Sequence, residues 1–233
     1  MVCAKQGIQT KKLKKSEIDW LATHYCKHSM SYLEHQNCFF EEAPKDSPFI
    51  EKIGFLDIET SGFYADYDFM LSWCILNNDT DEVEKDLIQP DEIRKTYTFD
   101  KRIVASLSKA LKGYDRVIVY NGVDYRFDIP FARTRALRWG IDFPGYKEIL
   151  VEDAYIMVKQ KLRLSRKKLG NACGLLEIPA KSLPGDPNIW MRASAGDTKE
   201  LEYVLSHNIE DVVSLKELYN RLNKYVLHGK RSI

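Results

Sequence analysis

No run of about 18 apolar residues interrupts the sequence, so no segment is expected to span a bilayer. Net charge is also nearly missing: 35 Lys and Arg against 34 Asp and Glu leave a formal +1. A polyanionic partner would have to be held by local basic patches, not by the field of the whole chain. Cysteine is sparse and odd in number, five in 233 residues, which excludes a disulfide scaffold and fits a reducing compartment. Lys5, Lys11 and Lys12 have no apolar stretch behind them, so no secretory signal is expected. The expected location is the cytosol, or the nucleus in a cell that has one. Neither an internal repeat nor a low-complexity tract is found. What the chain does have is a hydrophobic fraction of 44% with 12% aromatics, enough for a packed core.

The first segment, residues 1–48, differs from the remainder, 49–233. Lys11, Lys12, Lys14 and Lys15 lead to Ser16, the expected N-cap of a helix with Ile18, Leu21 and Ala22 on one face. A stretch crowded with Cys and His follows, then residues 41–48, whose Pro44 and Pro48 mark a linker. Beyond it, strands are expected at 53–59 and 69–75, paired through the Asp66-Tyr67-Asp68 turn, and a third short one at 96–99. A helix over Ile103, Leu107, Ala110 and Leu111 ends at Gly113, and a strand follows at 116–120. Helices are expected at 129–139, 153–162, 166–176 and 198–222. Strands followed mostly by helices predict an α/β mixed sheet covered by helices.

Three acidic motifs stand out. In Phe55-Leu56-Asp57-Ile58-Glu59-Thr60, residues two apart share one side of a strand, so Asp57 and Glu59 project together. Two such carboxylates repel unless a cation lies between them, and magnesium or manganese prefers hard oxygen donors. The plain alternative is a strand end whose acids face water. The second motif runs from Tyr120-Asn121-Gly122 to Phe127-Asp128-Ile129-Pro130, where Asp128 also suits a simple helix cap. In the third, His207-Asn208-Ile209-Glu210-Asp211, an imidazole and a carboxylate lie one turn apart on a face shared with Val204, Leu215 and Leu218. A local ion pair is the alternative there.

In their order, these motifs resemble the DEDD exonuclease superfamily, relatives of proofreading exonucleases, and in particular its bacterial and archaeal stand-alone branch. Trp190, Gly196-Asp197 and the Lys168 to Leu176 stretch are similar to that branch's approach to its last motif. The resemblance spans about residues 50–225. It implies a ribonuclease H-like fold and two magnesium or manganese ions held by Asp57, Glu59, Asp128 and Asp211. His207 would be a general base or water-positioning group. Nucleotides would be released from the 3′ end of single-stranded DNA or RNA during nucleic-acid processing such as DNA repair. One departure is plain: the superfamily's main branches place Tyr four residues, or His five, before the last Asp, and here a His stands at the Tyr spacing. A structure-selective endonuclease with the same ions, or a non-catalytic zinc-containing binding protein, are the other readings.

Substrate contact is expected from Thr60, Phe63 and Asn121 and from the basic run Arg166, Lys167 and Lys168. A solvated helix face is the plainer account of the run. Cys26, His28, His35 and Cys38 form two close ligand pairs, chemically suited to tetrahedral zinc, with His24 as a substitute ligand. Incidental clustering is the alternative.

Overall fold

The computed structural model describes residues 15–42, 47, 51–94, 99–123, 126–146, 148–179 and 185–225. The basic residues Lys11, Lys12 and Lys14 and most of the proline-containing stretch lie outside them. The chain divides into two compact units, residues 1–51 and 52–233.

In the first unit, α1 (Lys15–Thr23) and α2 (Gln36–Glu42) flank a knuckle closed by the Tyr25–Ser31 bridge. Ser16 lies inside α1 rather than ahead of it, so it is not the expected N-cap. Leu21, Tyr32 and Phe39 pack with Cys26 and Cys38 into a small core.

The second unit is built on β1 (Ile53–Thr60), β2 (Met70–Asn77), β3 (Val83–Leu87), β4 (Arg116–Val119) and β5 (Leu150–Asp153), in the order β3-β2-β1-β4-β5. β1 pairs antiparallel with β2 and parallel with β4, and β4 runs parallel to β5. This is the expected mixed α/β sheet, with helices on both faces. Leu56, Ile58, Leu71, Trp73 and Ile75 turn toward α4 (Lys101–Leu111) and α5 (Asp128–Trp139). Phe55, Cys74, Leu76 and Ile118 turn toward α6 (Ala154–Lys161), α7 (Leu169–Leu175) and α9 (Thr198–Asn223). Two further helices are α3 (Pro90–Arg94) and α8 (Pro187–Ser194). No helix among the described residues is long and apolar enough to cross a membrane.

Several elements depart from the sequence pattern. The expected strand at 96–99 falls mostly outside the described residues, and Phe99 is in a turn. The third strand is instead Val83-Glu84-Lys85-Asp86-Leu87, which hides because an edge strand carries charges that blunt it against further pairing. β5 is a four-residue buried piece, too short for any period to register. The helix expected from 166 begins only at Leu169: Lys168 is extended, and the Lys167 carbonyl accepts from the Tyr120 hydroxyl at 2.5 Å. α8 was not expected, though Asp186 caps it and Pro187 occupies its first turn, a legible start signal.

This topology fixes where a site can form. From β1 the chain turns to β2 on one side, and from β4 it passes through α5 to β5 on the other. The carboxyl ends of β1 and β4 are therefore a switch point, where connections diverge and leave a crevice.

Candidate active site

Asp57 and Glu59 lie on the same side of β1 as Phe55, toward α9. α9 is 26 residues long, begun by Asp197 accepting from the Lys199 and Glu200 amides, and crosses both β1 and β2. Asn208, fully buried on it, donates to Ser72 Oγ at 3.0 Å and sets the helix's position on β2. That places His207 and Asp211 over the β1 carboxylates. His207 Nδ1 is 3.1 Å from Glu59 Oε1 and 3.6 Å from Asp211 Oδ2. Donor atoms of Glu59, His207 and Asp211 all lie within 4.8 Å of one another, close enough to share one cation.

Asp128 arrives from the other direction, as the first residue of α5. Its Oδ1 accepts from the Ile58 amide at 3.3 Å, so a strand residue between Asp57 and Glu59 holds it. Gly122 makes the approach possible. A Cβ there would collide with Asp128 Oδ2 and come within 2.9 Å of Val119 Cβ, while its carbonyl accepts from the Ile129 amide at 2.9 Å. Asn121 before it turns the strand with φ +60°.

Asp128 is 3% exposed, and burial, aided by the charges of Asp153 and Glu59, pushes its carboxyl up to about 7 against the pull of the Ile58 amide and its own. The ordinary value is 3.8, so the folded chain keeps an extra proton between about pH 4 and about pH 7. Metal-free stability from this group is present at low pH and lost as pH rises through that window. Asp128→Asn is expected to raise the melting temperature in chelator at pH 8 and to change it little at pH 5. Equal shifts at both pH values would refute this.

Two adjoining pockets receive the four acids. One of about 610 Å³ is lined by Asp57, Glu59 and Asp128 together with Phe63, Tyr64, Tyr120, Asn121, Arg126 and Phe127. The other, about 360 Å³, is lined by Asp57 and Asp211 with Tyr120, Lys168 and Asn171. Asp57 and Tyr120 border both.

Of the residues expected to meet substrate, Phe63 is 81% exposed at the larger pocket and edges Phe127 at 6.0 Å. Tyr64 and Tyr67, on the same loop, are 71% and 87% exposed. The loop is held by Asp68, which accepts from the Tyr64 amide at 2.9 Å and the Ser61 hydroxyl at 3.3 Å. Thr60 is buried, its hydroxyl donating to the Gly62 carbonyl at 2.6 Å. Of the basic run, Lys168 lines the smaller pocket, whereas Arg166 is exposed and lines none of the described pockets.

Sequence reasoning missed Arg126 and the working contacts of Trp190. Arg126 Nη1 pairs with buried Asp153 at 2.9 Å and stacks over Tyr155 at 4.6 Å, so a fixed cation faces the acidic pocket. Asp153 also accepts from the Asn121 amide at 2.8 Å. Trp190 donates Nε1–H to Glu59 Oε2 at 3.0 Å and meets the His207 ring edge-on at 4.9 Å. Trp190 lies 131 positions from Glu59, beyond any local period.

In the first unit, Cys26, His28, His35 and Cys38 also converge, with one donor atom from each within 4.8 Å of the others. Burial pushes the Cys26 thiol up, yet hydrogen bonds from His35, the His28 and Met30 backbone and the His28 ring bring it down to about 6. His24 is turned away: its Nδ1 is 2.9 Å from the Trp20 carbonyl and its ring stacks on Trp20 at 4.0 Å.

A five-stranded mixed sheet with carboxylates gathered at the ends of its central strands defines a ribonuclease H-like domain of nuclease type. A family model described as RNase_H superfamily matches residues 54–223, and the chain belongs to that superfamily. No curated protein matches it. The membership supports nucleic acid as substrate and divalent metal as cofactor.

Proposed function

We propose that the protein is a 3′→5′ exonuclease of the DEDD type, hydrolysing single-stranded nucleic acid with two magnesium or manganese ions. The observation that carries this reading is the meeting of Asp57, Glu59, Asp128 and Asp211 at two pockets that share Asp57. The donors suit such ions: carboxylate oxygens from three separate segments, with Asp128 raised to about 7 by burial and, less, by the charges of Asp153 and Glu59, a shift that a cation would oppose. Asp57, placed at both pockets, would hold both ions; Glu59 and Asp211 would complete one site and Asp128 the other. When bound, two such ions generate a nucleophile and stabilise the attacking and leaving oxygens of an in-line displacement.

The chain's own side chains do the rest. Trp190 fixes one Glu59 oxygen and His207 the other, so this carboxylate has little freedom to rotate. Arg126 and Lys168 offer positive charge to phosphates that must approach the acids. Phe63 and Tyr64, exposed at the larger pocket, would stack on a terminal base. His207 is assigned the proton taken from the attacking water, or the orientation of that water through Glu59. His207→Ala is expected to lower the rate by about 10²–10⁴-fold and to change the pH–rate profile; an unchanged profile would make His207 structural. Zinc is assigned to the separate quartet of Cys26, His28, His35 and Cys38, whose sulfur and imidazole donors do not suit magnesium.

The test is a product ladder from end-labelled single- and double-stranded DNA and RNA, with manganese or with chelator. Mononucleotides from the 3′ end of single strands support the proposal. Oligonucleotide products would instead make the protein a structure-selective endonuclease, and binding without cleavage a non-catalytic binding protein.

A further inference from the structure

The Cys and His quartet has a geometry of its own. A tetrahedral zinc lies about 2.3 Å from sulfur and about 2.0–2.1 Å from nitrogen, which separates a sulfur from a nitrogen ligand by about 3.6 Å. Cys26 Sγ is 3.9 Å from His28 Nδ1 and 3.4 Å from His35 Nδ1, and His28 Nδ1 is 3.2 Å from Cys38 Sγ. Both imidazoles thus face the thiols through Nδ1. Cys26 and His28 come from the turn of the knuckle, His35 lies just before α2, and Cys38 is in the first turn of α2. Ser29, with φ +61°, reverses the chain between the two arms, and the Cys26 amide bonds to the Met30 carbonyl at 2.9 Å.

Beyond the quartet, the described residues of this unit are held by a small apolar cluster and a few hydrogen bonds, such as Tyr32 Oη to Glu42 at 2.7 Å. Among the described residues α1 has nine and α2 seven, both fewer than the roughly 12–15 at which isolated helices become even marginal. Among the described residues the buried apolar cluster holds five, Leu21, Cys26, Tyr32, Cys38 and Phe39, with Trp20 and Leu33 packed half-buried against it, and two of the five are the candidate ligands. A segment this small ordinarily needs a metal or disulfide to fold, and the thiols are free.

Resting on zinc at this quartet, we infer that the ion is the folding nucleus of residues 15–42: a closed, structural four-ligand site whose removal unfolds this unit and leaves the sheet domain intact. A closed site has no position for water or substrate, so zinc here takes no part in phosphodiester cleavage.

The experiment uses the full-length protein, purified with zinc. Its metal content is measured, and amide hydrogen exchange is followed before and after zinc is withdrawn by a thiol-reactive mercurial with chelator, then again after excess dithiol has stripped the mercurial from the cysteines, both reagents have been removed and zinc has been restored. One equivalent of zinc is expected. Withdrawal should cost amides between residues 24 and 38 roughly 100-fold or more in protection, with those of β1 and β2 unchanged, and restored zinc should reverse it. Cobalt in place of zinc should give the visible absorption of a tetrahedral thiolate site. Less than half an equivalent, in protein supplied with zinc, would overturn the metal assignment. A full equivalent whose removal leaves residues 24–38 equally protected would overturn the folding role alone. Cys38→Ser should lose the metal and the same protection; should that variant fail to accumulate, withdrawal from the wild-type chain decides the question.

Discussion

Asp57→Ala and Asp211→Ala are each expected to lower manganese-dependent cleavage by at least about 10³-fold while the protein remains folded. Asp57 borders both pockets, so under the proposed two-ion site its loss would remove a donor common to both ions rather than trim one position. Asp211, 7% exposed and 3.6 Å from His207 Nδ1, belongs to the cluster that also contains Glu59. Neither change should unfold the domain, because each removes one of several crowded negative charges and relieves repulsion in the metal-free state. The readouts are product formation under saturating manganese and a thermal melt of the same preparation. Full activity in either folded variant would remove the assignment of the site.

A second large effect concerns stability. Arg135 and Asp100 form a buried pair, with Nη2 2.6 Å from Oδ1 and Nε 2.9 Å from Oδ2, and side chains 3% and 0% exposed. Asp100 also accepts from the Met70 amide and the Trp139 indole, each at 2.9 Å. Arg135 donates to the Ala65 carbonyl at 3.0 Å, tying α5 to the loop that presents Phe63 and Tyr64. Arg135→Met leaves a buried carboxylate without its cation, a loss of about 3–5 kcal/mol. In a domain of this size that is a fall of roughly 6–20 °C in melting temperature. The double variant with Asp100→Asn should recover part of it, because the orphaned charge is gone, although the single amide oxygen replaces two carboxylate oxygens that accept separately from Met70 and Trp139. A single variant within about 1 kcal/mol of the wild type would show that the pair contributes little.

The acidic residues were legible for reasons that differ from motif to motif. Asp57 and Glu59 could be read as neighbours because strand pleat is a local period of two. His207 and Asp211 could be paired because a helix brings residues four apart onto one face. Asp128 was harder: as the first residue of a helix it had an adequate capping explanation, and only its bond to the Ile58 amide places it among the other acids. Trp190 was noticed through resemblance alone, and no local pattern could join its indole to Glu59. Arg126 sat inside the second motif unremarked, since neither strand nor helix period governs the turn it occupies. The charged edge strand β3 and the four-residue β5 escaped because both depend on pairing with neighbours rather than on their own apolar pattern.

Residue order alone determined which side chains bear charge, and which face of β1 and of α9 carries them, since those periods are set within a few residues. It also set the candidate ligand chemistry of the knuckle, whose four Cys and His side chains lie within 13 consecutive positions, 26–38. Which charged faces meet was decided by tertiary structure. The β3-β2-β1-β4-β5 order opens a crevice beside β1, and the Asn208–Ser72 bond sets α9 across it. Gly122 lets Asp128 close in from the far side. Like charges do not assemble of their own accord; packing of the apolar residues around them, spread over more than 150 positions, holds donor atoms of Glu59, His207 and Asp211 within 4.8 Å of one another.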